Sequence, residues 1–378
     1  MITMKKILCV IAAVAVLASC AQKGGVILFP ESDFQTAVDG KEVSLYTLKN
    51  ADLIMQVTNF GARVVSLWVP DKNGEYEDVV LGYDNIEKYI NNPGERFLGA
   101  VVGPFANRIA EGTYTIDGEV YHFPQNNNGQ TLHGGLKGLD MVVWDVFAAD
   151  DTTLVLTYTH ADGQEGMPGN LEIFMTYTLT ADNEFKVEYM AQTDKKTHVN
   201  LSHHSFFNLK GEGNGTVNDH VLHINGSYTT PVNEVLIPFG EVADVTGTPF
   251  DFRQAKAIGT DLEVENEQLK NGGGYDHNWV LDRQTSGELE LAASVLEPVS
   301  GRFMEVWTDQ PALQFYGGNF FDGSTTGKYG RALSYRESFA LETQKYPDTP
   351  NHPGFPSTLL DSGEEYTHTC VYRFSTVR

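Results

Sequence analysis

The chain has 378 residues, 26 Lys and Arg against 50 Asp and Glu, a formal net charge of −24, and 41% hydrophobic residues. Such acidity excludes a nucleic-acid partner, because phosphate binding rests on Lys and Arg, and it disfavours adhesion of the folded body to anionic lipid. With 21 Phe, 17 Tyr and 4 Trp, disorder is excluded too, and an uncharged small molecule or polymer is the expected partner.

Residues 1–19 carry Lys5 and Lys6, an apolar run from Ile7 to Ala18 and no acid, the pattern of a secretory signal. The run is short for a spanning helix. Leu17-Ala-Ser-Cys20 resembles the lipobox of bacterial lipoproteins, which implies lipidation of Cys20 as the first mature residue. The competing reading is a soluble secreted protein with an incidental Cys20. Residues 20–33 are then a tether, with Ala21 to Gly25 its flexible start. Two or more acyl chains hold stably where one is marginal. The expected location is the bacterial cell envelope, periplasm-facing because no acidic cluster follows Cys20. Loss of residues 1–19 removes Cys9, leaving Cys370 as the one free thiol and no intrachain disulfide. Cys370 falls within an apparent strand, Tyr366 to Phe374, and reads as a buried, inert thiol rather than a nucleophile.

Beyond the tether, residues 34–378 read as one domain. Alternating or β-branched runs recur at Leu53–Val57, Val64–Val69, Leu154–Thr159, Leu171–Leu179, Phe185–Thr193, Leu289–Leu296 and Tyr366–Phe374. Asp117-Gly118 between Tyr114 and Phe123 marks a hairpin, since Asp-Gly supplies the positive φ angles of a type I′ turn. Thr180 to Glu184 marks a second turn, and Asp261 to Lys270 is the one expected short helix. The expected fold class is all-β, a large antiparallel β-sandwich with few short helices.

Four polar clusters interrupt the strands with residues that sheets do not need. They are Gly103 to Ile109, Asn126 to Gly135, Asn200 to Leu209, and the pair Gly274–Asn278 with Leu341–Gln344. Each has an ordinary structural explanation. His133 reads equally as a turn residue before two glycines, Asp276 as an Asx-turn residue and Glu342 as a solvated charge. His203 and His204 are adjacent on a strand and so point to opposite faces; one is expected to be structural, and the two cannot easily share a metal.

Together, Ala106-Asn-Arg-Ile109, Thr131-Leu-His-Gly-Gly135, His204-Ser-Phe-Phe-Asn-Leu209, Tyr275-Asp-His-Asn278 and Leu341-Glu-Thr-Gln344 resemble, in order, the motifs of the aldose 1-epimerase (galactose mutarotase) family. The resemblance extends from about Phe34 to the C-terminus. Phe315-Tyr-Gly-Gly-Asn319 and Tyr346-Pro-Asp348 with Asn351-His-Pro353 add to it. It implies a galactose mutarotase-like supersandwich that interconverts the α and β anomers of free hexoses. In that reaction a base takes the anomeric proton, an acid protonates the ring oxygen, and the roles reverse for closure. A carboxylate and an imidazole suffice, with no cofactor or metal. The resemblance makes Glu342 the base and His204 the acid, with Arg108, His133 and Asp276 contacting sugar oxygens and Asn107 supporting the pocket. The motifs contain no Lys, which would trap an open aldehyde as a Schiff base. Phe207, Tyr275 and Trp279 either line the apolar face of a pyranose or fill the core.

Some positions depart from the family pattern. Gly103-Pro-Phe105 stands where Gly-Arg-Tyr is common, His203 replaces the usual Asn, Phe206 the usual Tyr, and Gly317-Gly318 a frequent Thr-containing pair. These bear on sugar preference more than on the reaction. Competing readings are a non-catalytic sugar-binding lipoprotein, which has no need of both Glu342 and His204, and a glycoside-active enzyme using Asp276 and Glu342. A hexose-phosphate enzyme would want a cationic clamp, and metal catalysis ranks last for want of closely spaced ligands. The expected oligomeric state is a monomer.

Overall fold

A computed structural model describes residues 25–378. The expected signal segment and Cys20 lie outside the described residues.

Alternation of apolar and polar side chains dictates the main sheet. Leu171–Leu179 forms a strand with the bounds expected, its odd-numbered side chains buried and its even-numbered ones facing outward. Glu184–Thr193 follows in the same pattern, joined to it by the expected turn at Thr180 to Glu184. These two strands belong to a nine-stranded antiparallel sheet whose spatial order begins Asp145–Ala149, Thr153–His160, Leu171–Leu179 and Glu184–Thr193. It continues through Glu365–Thr376, Arg302–Thr308, Glu290–Leu296, Val221–Ile224 and Lys256–Ala257. The last strand in sequence, Glu365–Thr376, is thus the middle strand in space.

Two smaller sheets cover the inner face. One has four strands, Leu45–Lys49, Ile54–Thr58, Arg63–Pro70 and Tyr76–Asp78; the other has five, Ala243–Asp244, Tyr228–Thr230, Asp276–Val280, Ala312–Tyr316 and Ala340–Gln344. One apolar core joins all three, with Met175, Tyr177, Val187 and Tyr372 from the large sheet packed among Met55, Val64, Trp279, Phe315 and Leu341. Two tyrosine hydroxyls in this core are paired with backbone: that of Tyr177 donates to the Ala62 carbonyl at 2.8 Å and that of Tyr372 to the Leu341 carbonyl at 3.0 Å. The molecule is therefore an antiparallel all-β sandwich. Among the described residues its only α-helices are Ile86–Asn91 and Glu267–Gly272, and no helix is long and apolar enough to cross a membrane.

The helix expected at Asp261–Lys270 is displaced. Asp261 ends a 3₁₀ turn, and the α-helix starts after Asn266, whose side chain accepts from the amides of Gln268 and Leu269 and so fixes the N-terminus there. Asp117-Gly118 does form the tight turn between Thr113–Ile116 and Glu119–His122, with φ of 50° and 86° at the two turn residues. Cys370 is buried, and burial pushes its thiol up to about 12.

Candidate active site

The site grows from the polar face of the five-stranded sheet. Register pairs Asn278 with Gln314 and Gln314 with Glu342, so the three lie in one row on one face; the adjacent row pairs Asp276 with Tyr316. Their sequence neighbours point the other way, and Tyr275, Trp279, Phe315 and Leu341 pack into the core. Every residue of Ala312–Tyr316 and Ala340–Gln344 is buried, because one face meets the core and the other meets the site. The row is tied laterally: Gln314 Nε2 donates to Asp276 Oδ1 at 2.8 Å and Gln344 Nε2 to Asn278 Oδ1 at 3.0 Å.

His204 arrives on a short strand, Ser202–His204, paired with Ala100–Val102. Strand alternation sends the two histidines apart. His203 enters the core against Tyr177 and Phe185, its Nδ1 3.1 Å from the Tyr177 hydroxyl and its Nε2 2.6 Å from Ser205 Oγ. His204 turns to the site instead, where its Nε2 lies 3.3 Å from Glu342 Oε1. Its Nδ1 and Glu342 Oε2 have no hydrogen-bond partner.

Asn107, Arg108 and His133 come from a two-stranded ribbon in which Arg108 pairs with Leu132 and Ile109 with Thr131. Asn107 and His133 flank it at φ of 64° and 52°, the left-handed region that costs a histidine about 1 kcal/mol or more. Reciprocal bonds hold them there. The Asn107 amide donates to His133 Nδ1 and the His133 amide to the Asn107 carbonyl, each at 3.0 Å. With Nδ1 accepting, a neutral His133 carries its proton on Nε2 and is preset as a donor. The glycine after it is obligatory: a Cβ on Gly134 would lie 2.0 Å from the Gly103 carbonyl oxygen. From the far side, the Asp348 amide donates to the Arg108 carbonyl and Asp348 Oδ1 accepts from the Ala110 amide, both at 2.9 Å. The Asp348 motif downstream of Glu342 is thus a clamp on the Arg108 ribbon.

All six expected site residues, Asn107, Arg108, His133, His204, Asp276 and Glu342, line one cavity of about 300 Å³. Of the two readings open for Phe207, Tyr275 and Trp279, core filling is the one the structure bears out. Phe207 packs with Phe339 and Tyr372, and Tyr275 and Trp279 with Phe250 and Phe252, all in the core. The rings that line the cavity are Phe97, Phe206, Tyr316 and Phe320. Phe97 lies 4.7 Å from the His133 ring and 6.0 Å from His204, and Phe206 lies 4.7 Å from His204 on centroids. Glu95, Asn127 and Leu132 complete the wall, which holds no Lys. Asn127 lies in the Asn126 to Gly135 cluster and Tyr316 in the Phe315 to Asn319 motif, whereas Glu95 and Phe97 carry no sequence signal of their own; Gln314 is legible only once its register beside Glu342 is known.

Burial governs the electrostatics. It pushes the Glu342 carboxyl well above its usual range, with the Asp276 charge adding to the rise and Arg108 opposing it. Burial also raises Asp276, against Arg108 and the Gln314 bond. It depresses His204 to about 3 and His133 well below its usual value. With a raised carboxyl and a depressed imidazole 3.3 Å apart, burial favours the neutral pair, and the charged pair has the same proton on His204 Nε2.

Sequence spacing shows no closely spaced ligand set, yet folding brings donor atoms of His133, His204 and Glu342 within 4.8 Å of one another, from three separate strands and turns. Spacing along the chain cannot reveal a cluster assembled this way.

A family model described as aldose 1-epimerase matches residues 44–373. The galactose mutarotase of Bos taurus is 42% identical over 88% of this chain and 94% of its own. The aldose 1-epimerase of Escherichia coli strain K12 is 36% identical over 89% of this chain and 97% of its own. Among solved structures, that of a GalM/aldose epimerase homologue from C. elegans superposes with a TM-score of 0.82 at 29% identity, covering 89% of this chain and all of that one.

Proposed function

We propose, for a chain that belongs to the aldose 1-epimerase family, that its cavity opens and recloses the ring of a free hexose and so interconverts the α and β anomers. The enzyme is an isomerase of carbohydrate metabolism. The observation that carries the mechanism is the 3.3 Å approach of Glu342 Oε1 to His204 Nε2 in a buried cavity. The hydroxyl oxygen and the ring oxygen of a hemiacetal sit on one carbon, so an acid and a base this close reach both at once.

Glu342 takes the proton from the anomeric hydroxyl as His204 Nε2 gives one to the ring oxygen. The C1–O5 bond breaks and C1=O1 forms. After rotation about C1–C2, the freed hydroxyl attacks the other face of the aldehyde, returning its proton to His204 while Glu342 protonates O1. The pair begins and ends with one proton, so nothing else need be supplied. Arg108 and His133 Nε2 donate to sugar oxygens, and Asp276 accepts from a hydroxyl while Gln314 fixes its orientation. Hexose phosphates are disfavoured because the lining has one Arg against three carboxyl groups.

Polarimetry of freshly dissolved α-glucose and α-galactose tests the activity. Failure to accelerate either, or arabinose, xylose or maltose, overturns it. The finer reading adds a lipid anchor at Cys20 on a periplasm-facing monomer, supported by the lipobox resemblance. Loss of radiolabelled lipid in Cys20→Ala, protease shaving of intact cells, and light scattering test these three parts.

A further inference from the structure

We propose that Glu95 is a specificity-determining residue that accepts a hydrogen bond from a hydroxyl of the bound sugar. The proposal rests on the anomer-exchange reading above. Glu95 lines the same cavity as Glu342, His204 and Asp276. Its Oε1 is occupied, accepting from the Phe97 amide at 2.9 Å, whereas Oε2 takes no hydrogen bond from any described residue and is not sealed in protein. A carboxylate with one oxygen pinned and the other open to a polyol-sized cavity is an acceptor set in advance.

It also lacks an ionic partner. The two nearby cations are committed to Asp140: Arg96 binds it through Nε at 2.7 Å and Nη2 at 2.9 Å, and Arg63 lies 3.6 Å from it. Arg63 Nη1 donates further to the carbonyls of Arg96 and Leu98, at 2.8 and 3.0 Å, and the Tyr83 hydroxyl donates to the Glu95 carbonyl at 3.3 Å. The segment Glu95–Leu98 is therefore clamped, unlike a solvated surface Glu whose side chain samples many rotamers. The same segment presents Phe97 to the His133 and His204 rings, and Glu95 lines the cavity beside it. Burial raises the Glu95 carboxyl while Arg63 and Arg96 oppose the rise; in its ionised form it takes a charge-assisted bond from a hydroxyl, roughly twice as strong as a neutral one, and repels a carboxylate or phosphate on the sugar.

Saturation kinetics of the wild type and Glu95→Gln on glucose, galactose and a series of monodeoxyglucoses test the assignment. The amide oxygen of Gln keeps the bond from the Phe97 amide, so the clamp stays. KM for glucose should rise about five- to tenfold with kcat within about twofold. For the one deoxy sugar that lacks the contacted hydroxyl, the ratio of variant to wild-type KM should fall to about one. Unchanged KM on every sugar, a fall in kcat alone, or an equal KM rise on every deoxy sugar overturns the assignment. Should Glu95→Gln melt early, Glu95→Asp, which keeps the charge but draws it back, is read by the same KM pattern. A wild type that accelerates no sugar defeats the anomer-exchange reading instead.

Discussion

Replacing Glu342 by Gln separates proton transfer from everything else this side chain does. Gln is isosteric, keeps its place in the row with Asn278 and Gln314, and leaves His204 where it stands. Only the capacity to take a proton is lost. Glu342 is 2% exposed, so bulk water cannot replace it within the cavity. General base catalysis contributes about 10²–10⁴-fold, so kcat should fall by that factor, or about 3–5 kcal/mol on the barrier. KM should stay within about threefold, because Arg108, His133 and Asp276 keep their contacts. Stability should move the other way. Burial, with Asp276 second, holds the Glu342 proton more tightly in the folded chain than in the unfolded one, where the ordinary value is 4.5. Its stabilising contribution is complete below that value and is lost as pH rises towards the folded one, about 1.4 kcal/mol for each tenfold in proton affinity. Glu342→Gln escapes this loss. Its melting temperature should therefore match or exceed that of the wild type, by a margin that widens as pH rises above 4.5. Polarimetric progress curves and thermal melts at several pH values read both quantities. A variant that keeps kcat within about tenfold of wild type, or melts earlier at high pH, refutes the reasoning.

Four further outcomes follow from the same geometry. His204→Asn should lower kcat about 10²-fold or more and also soften acid unfolding: burial depresses His204 to about 3, so its contribution is present above the ordinary 6.5 and lost as pH falls towards 3, which melts between those limits will show. His203→Asn should cost about 1–3 kcal/mol in urea unfolding, through lost ring contacts with Tyr177 and Phe185, yet hold kcat within about threefold, because His203 faces the core. Asp140→Ala should cost about 3–5 kcal/mol by stranding Arg63 and Arg96, and should lower kcat/KM by loosening Phe97; a loss below about 1 kcal/mol would contradict it. On a chain beginning at Ala21, Cys370 should resist an aromatic disulfide reagent in the native state and react once urea unfolds the core.

The sequence is most transparent where one face of a strand is wet. Leu171–Leu179 and Glu184–Thr193 alternate cleanly because their outer faces meet solvent, and both are readable with nearly the right bounds. Ala312–Tyr316 and Ala340–Gln344 are covered on both sides, so exposure leaves no period to find, and Glu342 stands out through its motif instead. The short ribbons that carry Arg108, His133 and His204 are two or three residues long, below the length at which periodicity speaks. For aromatic residues, chemistry alone cannot choose between core and cavity. Tyr275 and Trp279 sit next to polar motif residues in sequence, but the pleat turns them inward, while Phe97 reaches the cavity from a segment with no motif of its own. The helix after Asn266 was readable from its cap, and the acidic run before it masked that signal.

The central place of Glu365–Thr376 has a consequence for how the chain comes together. Its partners, Glu184–Thr193 and Arg302–Thr308, both precede it in the sequence. Without it the strands of the large sheet have native partners only within two groups of four, and each group has one edge left unpaired. Pairings such as Ala191 with Tyr366 close a long loop, which is slow and favours an extended chain open to chaperones. The same strand brings Tyr372, whose hydroxyl holds the carbonyl of Leu341, the residue before Glu342. A chain without this strand lacks both the join between the two halves of the sheet and this tie behind Glu342.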